Sequence, residues 1–264
     1  MNPKVDIFYT HIPLIPVISA LLLYRKRKIL FSAPQPALFP GILIALAAIS
    51  FYLFARQVFP ESEYSISLAV ASAIIFWIGT YIALFGFASL KKAAFPVAFL
   101  IFAVPIPERI MNRVVVMIAG ASVYITDFLF TLIHTPSARE GVEICLPGYV
   151  LVVGPECAGW RSSIALVIIS LLAAHLFLKK IEHKLLLVSI AVPLIIIKNG
   201  MRIVILYLIA YYVDEKFMEP GFIHRSVGYA LFIVVLIFMG FILWMLERRE
   251  LREKTRPYPE QQSP

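Results

Sequence analysis

Residues Ile66–Leu90 read ISLAVASAIIFWIGTYIALFGFASL, and Lys91-Lys92 follow at once. The stretch carries no charged side chain. It is longer than the roughly 20 apolar residues a helix needs to cross a hydrocarbon core about 30 Å thick. Leu38–Ala55, Ser163–Leu178 and Leu231–Leu246 repeat the pattern. The chain as a whole is 61% hydrophobic and 15% charged, whereas a soluble domain is nearer half apolar and a quarter charged. The fold class is therefore all-α: a polytopic transmembrane helix bundle.

The formal charge of +8 does not point to nucleic acid. The basic residues stand in short clusters between apolar runs: Arg25-Lys26-Arg27-Lys28, Lys91-Lys92, Lys179-Lys180 with Lys184, and Arg248 to Arg256. That is the positive-inside pattern, with anionic membrane lipid as its partner. No aromatic-interleaved basic stripe of a nucleic-acid binder is present. Residues 8–24 lack the basic leader and cleavage site of a signal peptide.

With the basic clusters placed inside, about seven spans follow. They cover roughly 8–24, 38–56, 66–90, 110–134, 158–178, 184–213 and 224–246. The apolar segment Ala93–Pro107 is short and bracketed by prolines. It reads as a re-entrant piece, with an eight-span bundle as the alternative. Residues 1–246 are read as a single membrane-embedded domain. Residues 247–264 are read as a polar, disordered cytoplasmic tail. The stretch Thr135–Pro155 is rich in Gly and Pro, with β-favouring runs at Val142-Glu143-Ile144 and Tyr149–Val153. It predicts a small extended element or hairpin on the outer face.

That element leads into Gly154-Pro155-Glu156-Cys157-Ala158-Gly159-Trp160-Arg161-Ser162-Ser163. Cys157 is expected at the start of the fifth helix, where unpaired N–H groups favour thiolate over thiol. Arg161, four residues on, is expected to face the same side. The competing reading is a buried, inert cysteine with Arg161 snorkelling to headgroups. Arg202 lies inside the sixth predicted helix, roughly 16 Å from its outer end at 1.5 Å per residue. A charge at that depth costs several kcal/mol unless it faces a cavity or partner. A structural ion pair with Asp127 is the plain alternative. Asn199 and Gly200 precede it, and Pro193 is expected to kink the helix and open a polar pocket. His224 stands where the last outer loop meets the seventh helix, a position also suited to a solvated helix end. Together Cys157, Arg202 and His224 would supply a nucleophile, an oxyanion cation and a general acid/base. No CxxC, HExxH or clustered His pair offers a metal site, and no glycine-rich loop offers a nucleotide site, so no cofactor is expected.

At these residues the sequence resembles the exosortase/archaeosortase family of membrane transpeptidases. Glu156-Cys157-Ala158-Gly159-Trp160-Arg161-Ser162 is similar to the family's E-C-S-G-I-R-S signature, and Asn199 to Ile203 to its N-x-x-R-I element. His224 with Gly228 resembles H-x-x-x-G, and Phe95-Pro96 through Pro105-Ile106-Pro107 a further proline-framed segment. His11–Pro16 ahead of Arg25–Lys28 resembles the family's opening. Ala158 and Trp160 depart from the pattern without removing a catalytic atom. The resemblance implies a protein-sorting cysteine protease in the inner or plasma membrane, its site facing the periplasm or exterior. Substrates would be membrane proteins with a C-terminal Pro-rich motif, transmembrane helix and basic tail. The acceptor would be a surface lipid or glycan. Cys157, Arg202 and His224 would be catalytic, with Arg161, Glu156 and Asn199 in support. Cys145 is an additional cysteine, either inert or able to form a silencing disulfide with Cys157; inert is the expectation. Two other classes remain: a small-molecule transporter lined by Arg202 and Asp127, and a non-catalytic exopolysaccharide assembly factor. Neither uses the Cys157 thiol.

Overall fold

The computed structural model describes residues 11–32, 34–60, 62–153, 159–214, 216 and 221–255. Glu156 and Cys157 lie outside these residues, as does the side chain of His224. In chain order the helices are α1 (Leu14–Arg25), α2 (Arg27–Leu30), α3 (Leu38–Val58), α4 (Glu63–Lys92), α5 (Ala94–Phe99), α6 (Glu108–Leu132), α7 (Trp160–Phe177), α8 (Ile181–Tyr212) and α9 (Phe222–Thr255). A 3₁₀ turn, Leu100–Ala103, prolongs α5. Strands β1 (Ala138–Glu140), β2 (Glu143–Leu146) and β3 (Tyr149–Val152) lie between α6 and α7.

The chain is a multi-pass membrane protein of all-α class. Among the described residues, six helices are long and apolar enough to cross a membrane: α3, α4, α6, α7, α8 and α9. Their outward faces fit lipid. Phe39, Leu43 and Phe54 on α3, and Ile233, Ile237 and Phe241 on α9, are all exposed, a pattern that water would penalise. The first predicted span is represented by α1, whose 12 residues rise only about 18 Å. The Ala93–Pro107 segment forms a short apolar helix, Ala94–Ala103, of half-spanning length.

Two units divide the chain, Met1–Met111 and Asn112–Pro264. In the first, α3 and α4 form an antiparallel hairpin packed through small residues. A Cβ added at Gly79 would stand 2.7 Å from the Ala45 backbone N, and Gly41 opposes Ala83 as closely. Small residues four apart let helix backbones approach within a bilayer, where packing rather than water drives association. α4 turns sharply at Gly86, whose φ of 76° suits glycine. Ser19 Oγ on α1 donates to the Pro96 carbonyl at 2.8 Å. Ser89 Oγ on α4 donates to the Leu30 carbonyl at 3.0 Å.

In the second unit, α7 and α8 are joined by a tight connection at Leu178–Lys180, and α9 packs on both. Leu166, Ala174, Leu187, Ala191, Val235 and Met239 form the heart of their shared core. α8 and α6 approach closely where Gly200 meets Ile125. The hairpin expected after α6 is a three-stranded antiparallel sheet in the order β1-β2-β3. β1 is the addition, and it packs back along α6: Ser137 Oγ donates to Asp127 Oδ1 at 2.6 Å, and Arg139 stacks 3.7 Å over the Tyr124 ring. Ile144, Leu146 and Val153 are buried on one face of the sheet. Cys145, in β2, carries a free thiol.

The expected disordered tail is corrected over residues 247–255, which continue α9. Glu250 explains the order. Its carboxylate accepts the backbone N–H groups of Lys179 and Lys180 at 2.8 and 2.9 Å and His183 Nδ1–H at 2.9 Å. It thereby satisfies donors at the start of α8 that no intrahelical carbonyl reaches. Lys180 also pairs with Glu253.

Candidate active site

α7 begins abruptly. Gly159 has φ 60° and ψ 36°, in the left-handed region, and Trp160 is the first helical residue. The helix was expected from about residue 158 with Cys157 at its N-terminus. The first described helical residue is Trp160, two positions later than expected, and Cys157 lies outside the described residues. Arg161 is exposed in the first turn.

Glycine is required at 159 for a second reason. A Cβ there would stand 2.7 Å from Asn199 Oδ1, 3.2 Å from Ser162 Oγ and 3.3 Å from Lys198 Nζ. The start of α7 thus presses its backbone directly onto α8. The Gly159 carbonyl accepts Ser162 Oγ–H at 2.8 Å and Ser163 Oγ–H at 3.0 Å. Lys198 Nζ donates to Ser162 Oγ. The proton order is opposite to that of a serine nucleophile with a lysine base, because Ser162 gives its proton to a carbonyl and receives one from the ammonium. This pair is not built as a Ser–Lys dyad.

α8 supplies the polar side chains. It runs as one helix through Pro193 and Gly200, so the break expected at Pro193 is not needed to gather them. Asn199 is fully buried and Lys198 is 3% exposed. Arg202 is half-buried, one turn further along. From Asn199, α8 continues to Tyr212, roughly 20 Å at 1.5 Å per residue. It therefore projects well past the start of α7. Depth counted from the end of α8 overstates how far Arg202 lies from the α7 terminus: along α8 it is one turn beyond the level of Gly159.

α9 completes the arrangement. A Cβ at Gly228 would lie 3.5 Å from Arg202 Nε and 3.6 Å from its Cζ, so the guanidinium rests on bare α9 backbone. His224 precedes Gly228 by four residues in the same helix, one turn along the same face. Asp127, the acid offered as a structural partner for Arg202, accepts from Ser137. The described residues contain no group of three or more His, Cys, Asp or Glu able to hold a metal ion.

The model of the transmembrane exosortase family matches residues 5–254. The chain belongs to that family. No curated protein and no solved structure matches it significantly. Exosortases are membrane cysteine transpeptidases that sort proteins, and the motif-bearing elements of this one meet within its second unit: the α7 start with Asn199, and Arg202 with the α9 face that carries His224. Lys198, paired with Ser162 of the first motif, is the polar group of this exosortase that the motif reading missed. The signal for Lys198 was present in the sequence. A lysine inside an apolar run is as anomalous as the arginine beside it.

Proposed function

We propose that this exosortase is a cysteine transpeptidase that cleaves a C-terminal sorting signal and passes the freed carboxyl end to a surface acceptor. The signal comprises a Pro-rich motif, a transmembrane helix and a basic tail, and the substrates are membrane proteins that carry it. The Cys157 thiolate attacks the scissile carbonyl carbon, forming a C–S bond and placing charge on the carbonyl oxygen. Arg202 donates hydrogen bonds to that oxyanion. Collapse breaks the C–N bond, and His224 as imidazolium gives its proton to the departing amine. A thioester remains on Cys157. His224, now neutral, takes a proton from a lipid or glycan nucleophile, which attacks the thioester and releases the thiolate. Asn199, which lies against Gly159 at the start of α7, and Glu156 and Arg161, which flank Cys157 in the sequence, are supporting residues. The site faces the periplasm or exterior across the inner or plasma membrane.

The observation that carries this reading is the family match along residues 5–254. The contact of Arg202 with Gly228, one turn from His224, supports the roles given to that pair. The test is co-expression with a substrate bearing its signal, its size followed by blotting. Cys157→Ala should abolish the processed band at equal enzyme level, and Arg202→Ala should cost more turnover than Arg161→Ala. Undiminished processing by Cys157→Ala would remove the cysteine mechanism.

A further inference from the structure

A cavity of about 230 Å³ opens within the first unit, away from the chemistry described above. Trp77, Thr80, Tyr81, Leu84 and Phe85 line it from α4, on one stripe of that helix. Leu23 on α1 and Phe31 just beyond α2 complete the wall. The rings pack on one another: Phe31 lies 4.6 Å from Phe85 between centroids, and Tyr81 lies 5.0 Å from Phe85 and 5.5 Å from Trp77. Both hydroxyls of the wall are committed elsewhere. Thr80 Oγ1 donates to the Phe76 carbonyl at 3.0 Å. Tyr81 O–H donates to Ser89 Oγ at 2.7 Å, whose own proton goes to the Leu30 carbonyl. A cavity holds water only where several polar groups converge on it, so this one suits a hydrocarbon chain. Its mouth is exposed at Phe31, Trp77 and Leu84, on a helix long and apolar enough to cross a membrane. The same packing gathers positive charge at one end of the cavity. Leu30 and Ala93 share a buried core with Tyr81. Arg27 and Lys28 stand within one turn before Leu30, and Lys91-Lys92 directly before Ala93. The sequence has no Asp or Glu in residues 11–60 or 64–107. Glu63 lies at the opposite end of α4, and Glu108 opens α6.

We propose that the first unit is a specific site for one bilayer phospholipid with an anionic headgroup: an acyl chain fills the aromatic cavity, and the headgroup phosphate is held by Arg27, Lys28, Lys91 and Lys92. Basic loops attract an anionic leaflet in general, but that attraction needs no cavity. Here an apolar cavity of chain-like chemistry runs directly into clustered cations, which is the two-part chemistry of a lipid and not of a soluble anion. Arg27 is braced for the headgroup. Its Cζ stacks 3.8 Å over the Tyr24 ring, and an N–H of its guanidinium donates to the Tyr24 carbonyl at 3.3 Å. The bound lipid touches α1, α2 and α4 together, so it stabilises the folded unit by mass action. The site stands apart from the cysteine chemistry and survives or fails independently of it.

The experiment uses the full chain, delipidated in detergent and mixed with equal amounts of dipalmitoyl phosphatidylglycerol and dipalmitoyl phosphatidylcholine. Native mass spectrometry counts the lipid that each protein molecule retains. The wild type should keep a single phosphatidylglycerol in preference to phosphatidylcholine by about tenfold or more. Arg27→Gln combined with Lys28→Gln should remove most of that preference. Thr80→Phe and Leu84→Trp, which fill the cavity and leave every cation in place, should each lower phosphatidylglycerol retention to a similar extent. Excess inorganic phosphate should not displace the lipid. Equal retention of the two lipids by the wild type would mean unselective boundary lipid and would overturn the proposal. Displacement by inorganic phosphate would reduce the site to a surface anion cluster and overturn it as well. Retention unchanged in both cavity-filling variants would overturn the part given to the acyl chain. If Thr80→Phe does not elute as a folded species, Leu84→Trp decides alone, since Leu84 is an exposed residue of the wall.

Discussion

Gly200→Ala is the substitution whose cost the structure fixes most closely. The new methyl would sit 2.7 Å from Ile125 Cγ2 and 3.1 Å from Ile125 Cβ, with the Thr126 backbone N at 3.3 Å behind them. Ordinary carbon contacts begin near 3.5 Å. The methyl it meets belongs to a β-branched side chain with one strongly preferred helical rotamer, so relief requires α6 and α8 to part by nearly an ångström. Overpacking of this kind costs about 1–3 kcal/mol, or roughly 2–12 °C in the melting temperature of a domain this size. Gly240→Ala on α9 is the control. No atom lies within 4 Å of its added Cβ, and loss of backbone freedom in the unfolded chain should leave it neutral or slightly more stable. Thermal unfolding in detergent, read by the loss of the monodisperse size-exclusion peak, measures both. Combining Gly200→Ala with Ile125→Ala removes the obstructing methyl, so the double variant should lose less than the sum of the singles. Equal melting for Gly200→Ala and wild type, or strict additivity in the cycle, would refute the close α6–α8 approach and the placement of Asn199 and Arg202 that depends on it.

Gly228→Ala should retain processing, because its methyl meets Arg202 at ordinary contact distance, while Gly228→Leu should displace the guanidinium and lower turnover at least tenfold; normal turnover in the leucine variant would separate Arg202 from the α9 face. Glu250→Ala should lower stability by about 1–2 kcal/mol, since it leaves two backbone donors at the α8 start without their acceptor; Glu253→Ala, which removes only an exposed pair, should change melting little. The Lys180 ammonium is held above its ordinary value of 10.5, first by its hydrogen bond to Glu253. Its contribution is therefore present throughout neutral pH and lost only as pH rises through that raised value. Melting of wild type and Lys180→Ala should run parallel from pH 7 to 9 and converge above 10.5; a gap that changes between pH 7 and 9 would contradict this.

Much of the fold was legible because a bilayer imposes its rules on local sequence. Length and lack of charge alone mark Ile66–Leu90 or Leu231–Leu246 as spanning, whatever they pack against. The sheet was legible in part. Val142–Ile144 and Tyr149–Val153 are β-favouring and framed by glycines, whereas β1, Ala-Arg-Glu, has no such pattern and is ordered by pairing with β2 and by the stacking of Arg139 on Tyr124. The tail misled for a related reason. Residues 247–255 are polar and resemble solvated chain, and what holds them helical is Glu250, which binds a connection some 70 residues earlier.

The sequence by itself determined the membrane class and most of the spanning segments, which are anomalies of composition that can be seen one segment at a time. Its resemblance to the exosortases pointed to Glu156, Cys157, Arg161, Asn199, Arg202 and His224. Only the tertiary structure decided where the α7 helix starts, which side chains border that start, and how far along α8 they lie. Gly159 is left-handed because its backbone must fit against Asn199 and Lys198, which are distant in the chain. Arg202 meets Gly228 because α8 and α9 pack in one register and not another. Contacts of that kind depend on which faces of separate helices meet, and periodicity within a single helix carries no record of its partner.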